Sequence, residues 1–117
     1  MLSQPDYKGV WKDTSSPYSS EFSLYILRRD GLMLEGIISD IHGLAIFGGK
    51  LMGDRIEFVK TYSSAARERG GASFNLVYEG TRDDDGKIRG KWRGETQVLT
   101  SQNLHEDHSF EMEPVRS

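Results

Sequence analysis

The chain contains no cysteine. That excludes a disulfide framework, a thiolate nucleophile and a cysteine-built zinc site, and it fits a cytoplasmic setting. Proline is scarce, with three in 117 residues. Basic charge is not in surplus: Lys and Arg number 15 against 18 Asp and Glu, a formal net charge of -3. No phosphate-neutralising surface is therefore expected, and no nucleic-acid partner. Apolar runs fall well short of the roughly 20 residues that a membrane helix needs, so no membrane partner is expected. The opening Met1-Leu2-Ser3-Gln4-Pro5-Asp6 is polar and lacks a basic segment followed by an apolar one. No secretion signal is expected from it.

What the chain does have is glycine, aromatic residues and alternation. Thirteen glycines suit many tight turns, and 36% hydrophobic with 28% charged residues is a globular balance. The length matches one domain, 1–117, in which roughly two-thirds of the unfolded surface can be buried. Residues 1–6 read as a loose leader and 94–109 as a long polar connection, in which Thr96 to Thr100 has strand character.

Strand signals recur at short intervals. Tyr7 to Trp11 is a first short strand, followed by a serine-rich loop from Asp13 to Ser20. Glu21 to Arg28 follows, with Phe22, Leu24 and Ile26 on one face by the two-residue period. Asp30-Gly31 marks a hairpin. A three-residue loop there, Arg29-Asp30-Gly31, aligns Ile26 with Leu34, Leu24 with Gly36 and Phe22 with Ile38. It keeps one face apolar, whereas a two-residue loop sets Ile26 against Glu35. Further strands are expected at Leu32–Ser39, Leu44–Leu51, Ile56–Tyr62, Ala72–Thr81, Lys87–Arg93 and Ser109–Met112, with a bulge at Gly48-Gly49. Ser64 to Arg69 offers one helical turn at most. The fold class is all-β: an antiparallel up-and-down meander of about eight strands, closed into a barrel so that no edge is left. An open curved sheet or a two-sheet sandwich is the alternative. Gly36, Gly80 and Gly90 on the inner face suit strongly coiled barrel strands.

Gly9-Val10-Trp11 on the first strand, followed by about seven hairpin-linked strands, resembles the calycin superfamily of lipocalins, fatty-acid-binding proteins and avidins. The resemblance implies a barrel in which the Gly-x-Trp tryptophan closes one end. In lipocalins an arginine near the last strand stacks on that ring, and Arg116 is its candidate here. A second Gly-x-Trp, Gly90-Lys91-Trp92, lies on the seventh strand. The avidins' polar biotin contacts have no counterpart. The string Phe58-x-Lys60-x-Tyr62, Tyr78-x-Gly80, Ile88-x-Gly90-x-Trp92 is similar to small uncharacterised bacterial β-barrel proteins, which implies no particular activity.

The residue most out of place is Lys60, in phase with the apolar Ile56, Phe58 and Tyr62. A lysine on an apolar face is costly unless it is paired or reaches water. With Tyr62, Tyr78 and Trp92 on the same side of adjoining strands, it would form a pocket of one cation, two hydroxyls and an indole donor. Such a set suits an anionic or polar small-molecule ligand. The plainer reading has Lys60 at the rim, its stem covering neighbours and its head in water.

Other motifs read more simply. His105-Glu106-Asp107-His108 is a solvated acidic loop rather than a metal site, and Asp83-Asp84-Asp85-Gly86 is a tight turn without the calcium-loop ligand pattern. Arg67-Glu68-Arg69-Gly70-Gly71 reads as a mobile tip of mixed charge. No metal and no cofactor is expected. The outward-phase Tyr25, Leu27, Met33 and Ile37 either line a homodimer patch or lie under the leader or the long loop. The functions that follow are a binding barrel with a small internal or rim pocket, or an interaction scaffold with a filled core. An enzyme built on Lys60 and Tyr62 ranks last, because no base–nucleophile pair can be named.

Overall fold

The structure, a computed structural model, describes residues 4–13, 19–95 and 108–115. Eight strands run in sequence order: β1 (Tyr7–Lys12), β2 (Ser19–Asp30), β3 (Met33–Asp40), β4 (Gly43–Met52), β5 (Arg55–Tyr62), β6 (Leu76–Arg82), β7 (Ile88–Gly94) and β8 (Ser109–Pro114). Each pairs antiparallel with the next, and β8 returns to β1 with Gly9 facing Met112 and Trp11 facing Phe110. The barrel is closed, so the meander reading holds and the open-sheet alternative does not. The expected Thr96–Thr100 strand segment, residues 105–107 of the acidic loop and Arg116 lie outside the described residues.

Alternation explains the inside. On β5, Ile56, Phe58, Lys60 and Tyr62 are buried while Arg55 and Glu57 are exposed. Phe22, Leu24, Leu34 and Ile38 are buried together, and Ile26 packs against them, as the two-residue period requires. Below the mouth the barrel is filled by rings. Phe58 stacks on Tyr78 at 4.8 Å, with Phe47 at 5.5 Å and Phe110 at 6.3 Å from Phe58.

The register of the β2–β3 hairpin differs from expectation. The loop is Gly31-Leu32, with Asp30 facing Met33, and a bulge at Leu27 then shifts the ladder so that Ile26 faces Gly36 and Leu24 faces Ile38. An unbroken ladder from that loop would set Ile26 against Ile37 and mix the two faces. The bulge adds one residue and restores the apolar face. Gly31 does take a positive φ of 60°, at the first loop position only, which matches a type II′ turn rather than the expected longer loop.

Two further expectations are corrected. Gly48 and Gly49 lie in a regular ladder opposite Val59 and Phe58, without a bulge. A Cβ on Gly49 would fall 2.0 Å from the Glu57 carbonyl oxygen, so strand coiling brings backbones too close for a side chain. Phe74 lies within the expected Ala72–Thr81 strand, in phase there with Tyr78, yet it precedes β6 and is about half exposed, with its ring edge against Gly94.

The two barrel ends are unlike. One carries the tight turns at Gly31-Leu32, Gly53-Asp54 and Asp83–Gly86. At the other end lie the β3–β4 and β5–β6 connections, with the last residues of β1 and β7 and the first of β2 and β8. The β5–β6 connection holds a single helical turn, α1 (Ser64–Glu68), whose N-cap Ser63 accepts from the Ala66 amide. Buried Ala66 packs under Gly43 and ties this connection to the β3–β4 turn. Among the described residues no helix is long and apolar enough to cross a membrane.

Candidate functional site

Lys60 does not reach solvent. Its side chain is 1% exposed and its ammonium lies 2.8 Å from Asp40 Oδ2, on a carboxylate with no exposed surface. The rim placement is thereby excluded. The ammonium also donates to the Tyr62 hydroxyl at 2.9 Å and, at a long 3.5 Å, to the Tyr78 hydroxyl. Tyr62 O–H donates to the same Asp40 Oδ2 at 2.5 Å, and Trp11 Nε1–H reaches it at 3.2 Å. The His42 amide donates to Asp40 Oδ1 at 2.9 Å. The ammonium also lies 4.4 Å from the centre of the Tyr62 ring, a favourable cation–π distance. Two opposite charges are thus buried as a pair with their hydrogen-bonding capacity largely filled, the condition under which such burial is tolerated.

The electrostatics follow from burial and pairing. Burial alone would raise the Asp40 carboxyl, but the Lys60 charge and the donors from Lys60, Tyr62 and His42 outweigh it, so Asp40 sits below its ordinary range. Burial lowers the Lys60 ammonium, and Asp40 pulls against that without cancelling it. Burial, reinforced by the nearby Asp40 charge, pushes the Tyr62 and Tyr78 hydroxyls well above the usual tyrosine range. Both are neutral donors, not bases.

Above this group lies the mouth. A cavity of about 650 Å³ opens there, lined mainly by rings: Trp11, His42, Tyr62, Phe74, Tyr78 and Trp92. Trp92 runs nearly parallel to Tyr78 at 6.2 Å, meets Trp11 edge-on at 6.0 Å and stacks on His108 at 4.3 Å. His42 stacks on Trp11 at 6.0 Å, and its Nδ1 lies 3.2 Å from the Arg69 carbonyl. A carbonyl only accepts, so this nitrogen carries the proton. The contact holds the α1 connection to the β3–β4 turn across the opening.

Of the residues singled out from sequence, Lys60, Tyr62 and Tyr78 meet in one hydrogen-bonded group, and Trp92 stands beside it. The indole donor comes from a different tryptophan than expected. Trp92 Nε1–H is committed to the Ser109 carbonyl at 3.2 Å, while Trp11 supplies the N–H that reaches Asp40. Asp40 was hidden by its turn position. A signal existed: it continues the inward phase of Leu34, Gly36 and Ile38, at the end of the barrel where Lys60 and Tyr62 also sit. Arg69, expected on a mobile tip, lines the cavity. Asp83 is occupied as a turn residue, accepting from the Asp85 and Lys87 amides and from Arg89. Among the described residues no group of three or more His, Asp or Glu is placed to hold a metal. A larger concavity, about 830 Å³, runs over β1, β2 and β8, its lining including Lys8, Glu21, Lys87, Glu111 and Glu113.

The Gly9-Val10-Trp11 motif stands on β1, and Trp11 lines the open mouth rather than closing an end of the barrel. Comparison with known proteins adds no relative: no protein-family model matches the chain, nor does any curated protein or any solved structure.

Proposed function

We propose that this barrel binds a small polar molecule at the mouth framed by Trp11, Tyr62, Tyr78 and Trp92. The observation that carries the reading is the Lys60–Asp40 pair buried under an aromatic-lined opening. A buried ion pair is weak evidence for stability, since an apolar replacement of similar volume often serves as well. A polar group built to order a binding site is the better account of its presence. The cavity falls within the roughly 300–1,000 Å³ typical of small-molecule sites, and it is walled by rings around few polar groups, as such sites are. An eight-stranded barrel has room for filled side chains or one small ligand, and here the rings below leave only the mouth. Lys60 is balanced by Asp40, so the site does not call for an anion.

Binding without turnover is the simpler form. Asp40 is saturated with donors and both tyrosines stay protonated, so the group presents no base beside a nucleophile. The test is a thermal-shift screen of uncharged and anionic ring compounds, with the Trp11 and Trp92 indole signals followed by NMR. They are the chain's two tryptophans and both line the cavity. A compound that raises the melting temperature and moves both signals supports the reading. A melting temperature raised without any indole shift places binding elsewhere and overturns the site.

A second reading, an interaction module, is favoured by one feature of the outer surface. Tyr25, Ile37 and Ile46 form a cross-strand row over β2, β3 and β4, with Ile46 65% exposed and Leu44 exposed beside it. Contiguous exposed apolar area of this kind marks protein contacts. Analytical ultracentrifugation decides it: a dimer that Ile46→Lys dissociates supports self-association, and a monomer at all concentrations removes the homodimer.

A further inference from the structure

The polar hydrogens around the mouth can be followed one at a time. Lys60 directs its three N–H groups to Asp40, Tyr62 and, weakly, Tyr78. Tyr62 O–H and Trp11 Nε1–H are both taken by Asp40 Oδ2, and Trp92 Nε1–H by the Ser109 carbonyl. One remains. The Tyr78 hydroxyl, on a side chain 3% exposed, accepts from Lys60, and among the described residues no acceptor takes its own hydrogen. Tyr78 lines the cavity. A buried donor with no acceptor loses its bond to water and gains none in return, so such a group calls for a partner.

Charge narrows the partner. The Lys60 ammonium, already balanced, lies 4.4 Å and 5.6 Å from the Tyr62 and Tyr78 ring centres, which disfavours a second cation against those rings. Among the described residues an anion would find no unpaired ammonium at the floor, because Lys60 is held by Asp40; Arg69 stands exposed at the rim, and the lining His108 lies 3.2 Å from the Asp13 carboxylate. Both indole N–H groups are committed, and the rings of His42 and His108 stack on Trp11 and Trp92, so these tryptophans offer the mouth apolar contact and no free donor.

We infer that the mouth takes an uncharged flat-ring molecule whose carbonyl-type oxygen accepts the Tyr78 hydroxyl hydrogen. This rests on the binding reading above and adds the ligand's class and its orientation: acceptor oxygen down on Tyr78, ring against the aromatic walls. Tyr78 is the positioning donor, and Lys60 beneath it, donating to the hydroxyl oxygen, strengthens the bond that the hydroxyl gives.

A matched set of probes tests this: 1-indanone, indane (the same rings without the oxygen) and indane-1-carboxylate. Each is titrated calorimetrically into the full chain and into Tyr78→Phe, with the two indole signals recorded. The expected result is 1-indanone binding roughly five- to tenfold tighter than indane, as one hydrogen bond allows. Tyr78→Phe should erase that preference. Comparing 1-indanone with indane in the unaltered chain stands even if the variant folds poorly. Equal binding of 1-indanone and indane, both moving the indole signals, overturns the Tyr78 role and leaves the cavity reading intact. Tightest binding by the carboxylate overturns the uncharged class. Silence of both indole signals with all three probes overturns this inference, and silence across the wider ring screen removes the cavity reading as well.

Discussion

Lys60 and Asp40 act as one unit, and the energetic consequences differ from those of a lone inward lysine. Were Lys60 without a carboxylate, Lys60→Met would be harmless or even stabilising. With Asp40 at 2.8 Å, the same change strands a buried carboxylate, and Asp40→Asn strands a buried ammonium. Each single change should cost on the order of 3 kcal/mol in urea denaturation. The double variant Asp40→Leu/Lys60→Met should cost clearly less than the sum of Asp40→Leu and Lys60→Met measured alone, and additive losses would show that the pair is not coupled. pH acts on the same group. The folded Asp40 sits below its unfolded value of 3.8, so its stabilisation is complete above that value and lost as the pH falls through the lower folded value. The tyrosines act at the other limit. Tyr62 and Tyr78 are raised from 10.0, so the unfolded chain releases their protons first, and their contribution to stability falls as the pH climbs past 10.0. In an alkaline titration their tyrosinate absorbance should appear only with loss of the fold, and Tyr62→Phe should remove its share of that late signal.

Among the elements, the hairpins carry the sharpest backbone demands. Gly31 at φ 60° has open space around it, so Gly31→Ala meets strain but no clash and should cost about 1 kcal/mol. Gly49 is the reverse case. Its added Cβ would lie 2.0 Å from the Glu57 carbonyl and 2.5 Å from Phe58 Cα, atoms of backbone that cannot rotate away. Gly49→Ala should therefore cost several-fold more than Gly31→Ala in the same denaturation assay, and a loss of similar size at both positions would contradict the register of β4 and β5. The β3–β4 turn is the element that makes the mouth. It presents the Asp40 side chain inward, the His42 amide to that carboxylate and the His42 ring to Trp11, while Gly43 gives Ala66 room to dock.

For the whole molecule, closure is the governing fact. Lys8 pairs with Glu113, so the barrel is completed only when segments far apart in sequence meet. Loop-closure entropy must be met before those contacts form, and folding should be slow for a chain of this size, in roughly milliseconds to seconds. Stopped-flow tryptophan fluorescence measures it, since both indoles sit where the ends of the meander come together, and a microsecond phase carrying the full amplitude would contradict the closed topology. Closure also divides the molecule into a ring-filled lower barrel and an open, polar-floored mouth, and that division gives the candidate site its place.

The strand order, the inward faces and the odd position of Lys60 were all legible in the sequence, because side chains on a strand alternate with a period of two and turn residues mark where each strand stops. Alternation is local, so it carried as far as single strands and their faces. It did not carry to register. The Leu27 bulge restores the apolar face that a two-residue loop would otherwise break, and face alone cannot tell that pairing from an unbroken one. Nor did it reach across the barrel. Asp40 continues the inward phase of β3 yet belongs by composition to a turn, and only closure brings its carboxylate to an ammonium 20 residues away. The same holds for the exchange of roles between Trp11 and Trp92, whose indole donors are assigned by distances from β1 to β3 and from β7 to β8. Local periodicity determined which side chains enter the barrel; the three-dimensional closure decided which of them meet, because a charge pair or a hydrogen bond depends on distance in space and not on spacing along the chain.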